Sequence, residues 1–387
     1  MFDSRVNRPE LIVFADDWGR HPSSCQHLVR RLRNEYRILW VNSIGTRKIR
    51  LNLFTLRRAW EKLCCWRKGL IPIDDDMAVI DMPMLPWIGS RLARSANRWM
   101  ATNNLRKQMK RLNFRRPVVL TTLPHVSWLI GDVGQCATLY YCTDDFSHWP
   151  SADRKALQWS ESLLLQQADL VLAVSQHLVS RCAQANRCEY FPHAVDFDHF
   201  AAARTVSPHP DLMKLKGPRI GFFGLIYEKL DFELLTRISR ECSDASIVLI
   251  GRIDYCPEAF SQLPNVHLVG PQSYDDLPQW IAGLDVLLMP YVMDDMIRQS
   301  NPLKLRECLA TGKPTVAVEV PEARKFEPHL LVAHSRDEFV KAVKLSLLEH
   351  DNSDAVEARQ LAVANETWES RARELSDYIH SIDSFVA

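Results

Sequence analysis

Gln299-Ser300-Asn301-Pro302-Leu303-Lys304-Leu305-Arg306-Glu307-Cys308-Leu309-Ala310-Thr311-Gly312-Lys313-Pro314 is the stretch on which the reading of the chain turns. Apolar runs flank it, Val286-Leu287-Leu288-Met289-Pro290 before and Thr315-Val316-Ala317-Val318 after, each of buried-strand length. Between them the spacing predicts a helix from about Pro302 to Ala310. Pro302 suits the first turn, where no backbone N–H is needed, and Gly312 suits the left-handed stop. A strand, a polar loop and a helix start leave backbone N–H groups and a positive dipole end for an anion. Glu307 follows on the same helix, where its carboxylate can accept hydrogen bonds from a sugar diol. The pattern predicts a nucleotide-diphosphate site.

The full chain has 387 residues, which makes two domains the natural expectation. Composition is globular, 47% hydrophobic and 25% charged. No run approaches the ~18 apolar residues of a membrane-spanning helix. Met1 to Glu10 is polar and the apolar run Leu11 to Ala15 is too short for a signal peptide, so a cytoplasmic protein is expected. Its ten cysteines then read as reduced thiols, and no CxxC pair suggests structural zinc. The net charge of +1 conceals an asymmetry: the first 120 residues hold 24 basic and 10 acidic side chains. Such a split points to two domains with different partners, the first facing something anionic.

Short apolar runs alternate with helical stretches throughout. In the first half the expected strands are Leu11–Ala15, Arg37–Val41, Val118–Thr122, Thr138–Cys142, Leu170–Val174 and Cys188–Phe191. Helical runs include Ser24–Asn34, Ser90–Leu112 and Lys155–Gln167. A polar linker with three prolines lies around Ser207–Gly217. The second half repeats the theme with strands at Arg219–Phe223, Ser246–Ile250, Val266–Val269, Asp285–Met289, Thr315–Val318 and Leu330–Ala333. Helices start near Asp231, Tyr274, Pro302 and Arg336. Alternation of this kind implies parallel sheets covered by helices, with function at the carboxyl ends of the strands.

The order Gly221-Phe222-Phe223-Gly224, Val248-Leu249-Ile250-Gly251, Asn265 to Gly270, then Asn301-Pro302-x-Lys304-x-x-Glu307-x-x-Ala310-x-Gly312-x-Pro314 resembles the donor domain of GT-B glycosyltransferases. The likeness is to the retaining "glycosyl transferases group 1" superfamily, and within it to bacterial surface-polysaccharide enzymes of the teichuronic acid type. Tyr140 to Phe146, Ala168 to Ser175 and His193 to Asp196 agree with it. The resemblance implies an α/β GT-B fold, two Rossmann-like parallel-sheet domains facing a central cleft. Residues 1–205 would be the acceptor- and membrane-facing domain and 206–365 the donor domain. Residues 366–387 would form a helix packing back toward the first. It implies retention without an enzyme nucleophile, metal or other cofactor, the leaving phosphate helping to remove the acceptor's proton. Gln299 stands where the superfamily usually has Glu, and Leu225 where Arg is common.

The expected donor ligands are Gly224, Lys229, Arg298, Gln299, Asn301, Lys304 and Glu307. Asp17, with Asp16 at the end of the first strand, could orient the acceptor hydroxyl or merely cap a helix. His125, after the strand at 118–122, could touch donor sugar or acceptor, or be a structural hydrogen-bonding histidine. Asp144-Asp145 carry the same two readings. Asp74-Asp75-Asp76 reads as solvated loop.

Two basic stretches stand out. Arg47–Lys68 holds eight basic residues and one acid, and Arg91–Arg116 holds nine and no acid, both interleaved with Trp and Leu. Cationic amphipathic helices with Trp on the apolar side fit an anionic membrane surface. No recognition motif supports nucleic acid. The expected partners are therefore a nucleotide sugar, a lipid-linked or glycan acceptor, and the inner face of the cell membrane. A nucleotide-sugar epimerase of the same fold, or a catalytically silent assembly subunit, stand as alternatives.

Overall fold

A computed structural model describes residues 8–20, 23–42, 69–82, 91–145, 153–348 and 352–386. The chain divides into two compact units, residues 1–192 with 368–387, and residues 193–367. The division falls earlier than the expected boundary at 205. Helix Phe197–Ala201 belongs to the second unit, where Phe200 packs 5.9 Å from the ring of Phe223.

The first unit is built on an eight-stranded sheet. Its strands are β1 (Glu10–Phe14), β2 (Arg37–Asn42), β3 (Ile71–Pro72), β4 (Met77–Asp81), β5 (Val118–Thr121), β6 (Ala137–Cys142), β7 (Leu170–Ala173) and β8 (Cys188–Tyr190). Their order is β3-β4-β2-β1-β5-β6-β7-β8, and every pairing is parallel except the short edge strand β3. The interior strands are buried on both faces, which is why they read as continuous apolar runs. Strand order reverses between β1 and β5. Asp16 and Asp17 follow β1 there, and His125 follows β5 in the short helix Pro124–Leu129.

Helix Trp368–Val386 belongs to this first unit although it is made after the second. His27 stacks on Trp368 at 5.0 Å, and the Tyr36 and Ser376 hydroxyls lie 2.9 Å apart. Helix Arg91–Leu112 turns an inner stripe, Ala101, Leu105, Met109 and Leu112, into the core. The expectation that these apolar residues face a membrane is thereby corrected. Leu92 and Trp99 project outward, 85% and 69% exposed. Two of the helix cations are tied down at Asp132: Arg98 by its carboxylate and Arg106 by its carbonyl oxygen, at 2.8 Å. The stretch Arg47–Lys68 lies outside the described residues.

Other acids of this unit have structural partners. Asp74 accepts from the backbone of Asp76 and Met77 and pairs with Arg33. Asp145 is buried and paired at 3.0 Å with Arg181, which also holds Glu161.

The second unit has six parallel strands: β9 (Arg219–Phe223), β10 (Ser246–Ile250), β11 (Val266–Gly270), β12 (Val286–Met289), β13 (Thr315–Val318) and β14 (Leu331–Ala333). Their order is β11-β10-β9-β12-β13-β14, so strand order reverses between β9 and β12. Ligands of such sheets sit at the carboxyl ends of the strands beside that reversal.

Buried His125 has a thermodynamic signature. Burial pushes its pKa down to about 4, and its Nε2 has no hydrogen-bond partner among the described residues. The unfolded chain, with an ordinary imidazole pKa near ~6.5, binds the proton first, so stability is lost as pH falls from there toward the folded value. This histidine alone contributes a slope of about 1.4 kcal/mol per pH unit across that window. In His125→Leu the slope should vanish. Calorimetric Tm of the first unit should shift in favour of the variant as pH is lowered from 7; parallel Tm curves would disprove the burial argument.

Candidate functional site

The carboxyl ends of β9 and β10 meet at two glycines. Gly224 follows β9 with φ near +143° and donates its N–H to the Ile250 carbonyl at 2.8 Å. Gly251 follows β10 with φ near +145°. A Cβ on Gly251 would sit 1.8 Å from the Gly224 carbonyl oxygen, so no side chain fits there. A Cβ on Gly224 would meet Lys304 Cε at 3.0 Å. The glycine loop thus lies directly against the start of helix Lys304–Ala310, which follows β12 across the strand reversal.

That helix begins two residues later than expected, with Leu303 as its N-cap and no side chain closing its first turn. The amides of Leu305, Arg306 and Glu307 donate instead to the Pro302 and Leu303 carbonyls, at 3.1 to 3.3 Å. Lys304 pairs with buried Glu307 at 2.5 Å, and its ammonium lies 4.2 Å from the centre of the Phe223 ring. Gly224, Lys304 and Glu307 therefore form one contiguous cradle: backbone without a side chain, one cation, and one carboxylate.

The remaining expected donor ligands stand differently. Lys229 is held by Asp294, the N-cap of helix Asp295–Gln299. The loop carrying Lys229 is fastened on both sides, Ile226 N–H to the Arg252 carbonyl and Asp231 N–H to the Pro290 carbonyl, at 2.9 and 2.7 Å. Gln299 ends the 295–299 helix. Arg298, one residue earlier, is exposed and lines a cavity of about 630 Å³ with Asp231, Tyr291, Val318 and Arg336. Tyr291 lines this cavity and lies near enough to Glu307 to feel its charge. Burial, and then the neighbouring Tyr227, Cys308 and Glu307, raise its phenol far above the ordinary range and keep it protonated. Asn301 is buried and directed inward, its Oδ1 accepting from Arg306 Nη1 at 2.9 Å.

In the first unit, Asp16 is committed to structure: its carboxylate accepts from Ser23 Oγ at 2.7 Å and from the Gln26 amide. Burial nevertheless raises its pKa. Asp17 keeps a half-exposed carboxylate with Arg20 3.5 Å away. His125 is buried and neutral beside the same strand reversal.

Sequence reasoning left Gly251, Tyr291, Asp294 and Arg306 out of the site. Gly251 had a visible signal, a glycine directly after a strand. The other three act through partners that only the fold brings near.

Comparison with known proteins agrees with this arrangement. A family model described as "Glycosyl transferases group 1" matches residues 217–349, which contain the cradle. A Bacillus subtilis (strain 168) protein named as a teichuronic acid biosynthesis glycosyltransferase, TuaH, is 26% identical over 238 residues. That alignment spans 58% of this chain and only 60% of the relative's length. Among solved structures, sucrose-phosphate synthase of Thermosynechococcus elongatus superposes with a TM-score of 0.72 at 13% identity, covering 97% of this chain and all of that one. Anabaena HepE in complex with UDP superposes with a TM-score of 0.65 at 14% identity, covering 96% of this chain and all of that one. With its six-stranded parallel sheet, its glycine cradle and the matched residues 217–349, the second unit is similar to the group 1 glycosyltransferases, and the solved structures on which the chain superposes show that it has the GT-B fold.

Proposed function

We propose that this protein transfers a sugar from a nucleoside diphosphate donor to a lipid-linked or glycan acceptor, with retention, in the synthesis of a cell-surface polysaccharide. The observation that carries the reading is the cradle of Gly224, Lys304 and Glu307. Gly224 and Gly251 keep the surface beside Lys304 clear of side chains, so that a diphosphate can approach backbone closely. Lys304 is placed to take up the negative charge that grows on the leaving diphosphate, the step that such a site must stabilise. Donor entry then exchanges partners: Lys304 turns from Glu307 to phosphate, and Glu307 turns to the ribose diol. Acceptor recognition belongs to the first unit, with the half-exposed Asp17 carboxylate, which faces Arg20, orienting the attacking hydroxyl and His125 as a neutral neighbour. The teichuronic acid name of the TuaH relative supports a surface-glycan acceptor.

The same reading places the protein on the inner face of the cell membrane, held peripherally. Its support is the outward pair Leu92 and Trp99 on a helix whose exposed residues also include Lys107 and Lys110. Each such cation near an anionic surface contributes about 1 kcal/mol. Among the described residues no helix is long and apolar enough to cross a membrane.

Two experiments test these points. Glu307→Ala removes a charged acceptor of ribose hydrogen bonds, worth about tenfold or more in donor affinity. Its donor KM should rise at least that far while circular dichroism is unchanged, after a thermal-shift screen of UDP-, GDP-, ADP- and dTDP-sugars has identified the donor. Near-normal kinetics would sink the assignment. The double substitution Leu92→Ala, Trp99→Ala should reduce co-sedimentation with phosphatidylserine vesicles, and unchanged pelleting would reject a membrane role for this helix.

A further inference from the structure

Arg306 precedes Glu307 in the chain but points the other way, into the second unit. It is 1% exposed, an unusual place for a guanidinium. Nη1 donates to Asn301 Oδ1 at 2.9 Å, Nε donates to Glu366, and the guanidinium carbon lies 5.3 Å from the centre of the Phe326 ring. One bond therefore reaches the loop just before the donor helix. The other reaches the segment by which the chain leaves the unit. There the Glu366 carbonyl accepts from Val195 N–H at 2.9 Å, and Val195 bridges to Thr367. Residues 193–195 are the chain's entry into the same unit. One side chain thus spans the donor loop and both crossing points.

We propose that Arg306 is a positioning residue for donor binding, holding Asn301, and with it the loop 299–303, in the form that accepts the diphosphate, a proposal that rests on reading residues 299–307 as the donor site. Packing alone would not call for a guanidinium. An apolar side chain of similar volume often replaces a buried ion pair at no loss of stability. What such a side chain cannot do is donate to Asn301. Buried His193, whose pKa is pushed down to about 3 by burial and then by the Arg306 charge, stays neutral and leaves Glu366 as the counter-ion.

The test is calorimetric binding of UDP, GDP, ADP and dTDP, with Tm measured on the same samples. For whichever diphosphate the wild type binds, Arg306→Met should weaken Kd by about tenfold or more. Arg306→Lys, which keeps a donor, should recover part of the loss, and Glu366→Gln should lie between. Asn301→Ala should also weaken binding, and the double variant Asn301→Ala, Arg306→Met should be no worse than the poorer single one, since both break the same contact. Wild-type affinity in Arg306→Met overturns the proposal whatever its Tm. If that variant does not fold, undiminished affinity in Glu366→Gln overturns it. A wild type that binds none of the four diphosphates removes the donor-site reading and this proposal together, whereas loss in Glu307→Ala with none in Arg306→Met removes only this one.

Discussion

The second unit depends on the approach of two backbones. Gly251 faces the Gly224 carbonyl so closely that the smallest side chain would collide with it. That approach brings the exits of β9 and β10 into one surface and lets the loop after β9 lie flat against Lys304. The loop is then fastened to β10 through Ile226 and to β12 through Asp231. The proposed diphosphate would meet a surface clear of side chains with one cation already in place, which limits the reorganisation that charge stabilisation must avoid.

Much of the fold was legible because parallel strands buried on both faces leave continuous apolar runs. β9 and β10 were read to the residue. The pair β3 and β4 was not among the expected strands, since Ile71–Pro72 is too short and Pro-containing to signal one, although Met77–Ile80 is fully buried. Helix Arg91–Leu112 was found, but its burial was misread. Cations occur all round it, and only packing against the sheet decides that Leu105 and Met109 turn inward while Trp99 turns out.

The site was legible where its chemistry is local. Lys304 and Glu307 are three residues apart on one helix and meet as that spacing requires. Lys229 and Asn301 were legible only as residue types. Asp294 holds Lys229 from 65 positions away, and the Arg306 side chain that fixes Asn301 has its counter-ion 60 positions away. Pairing over such distances is a property of the fold, and no local pattern carries it.

Because helix Trp368–Val386 completes the first unit, the second unit is an insertion within it. A ribosome therefore finishes residues 193–367 before it has made the helix on which His27, Arg31 and Tyr36 close. Domains usually fold in order of synthesis. Here the order is inverted: the second unit can be complete while the earlier-made unit still exposes the apolar surface awaiting Trp368, Leu375 and Ile379. Termination before Trp368 would thus leave a complete second unit and a first unit whose uncovered apolar surface favours aggregation.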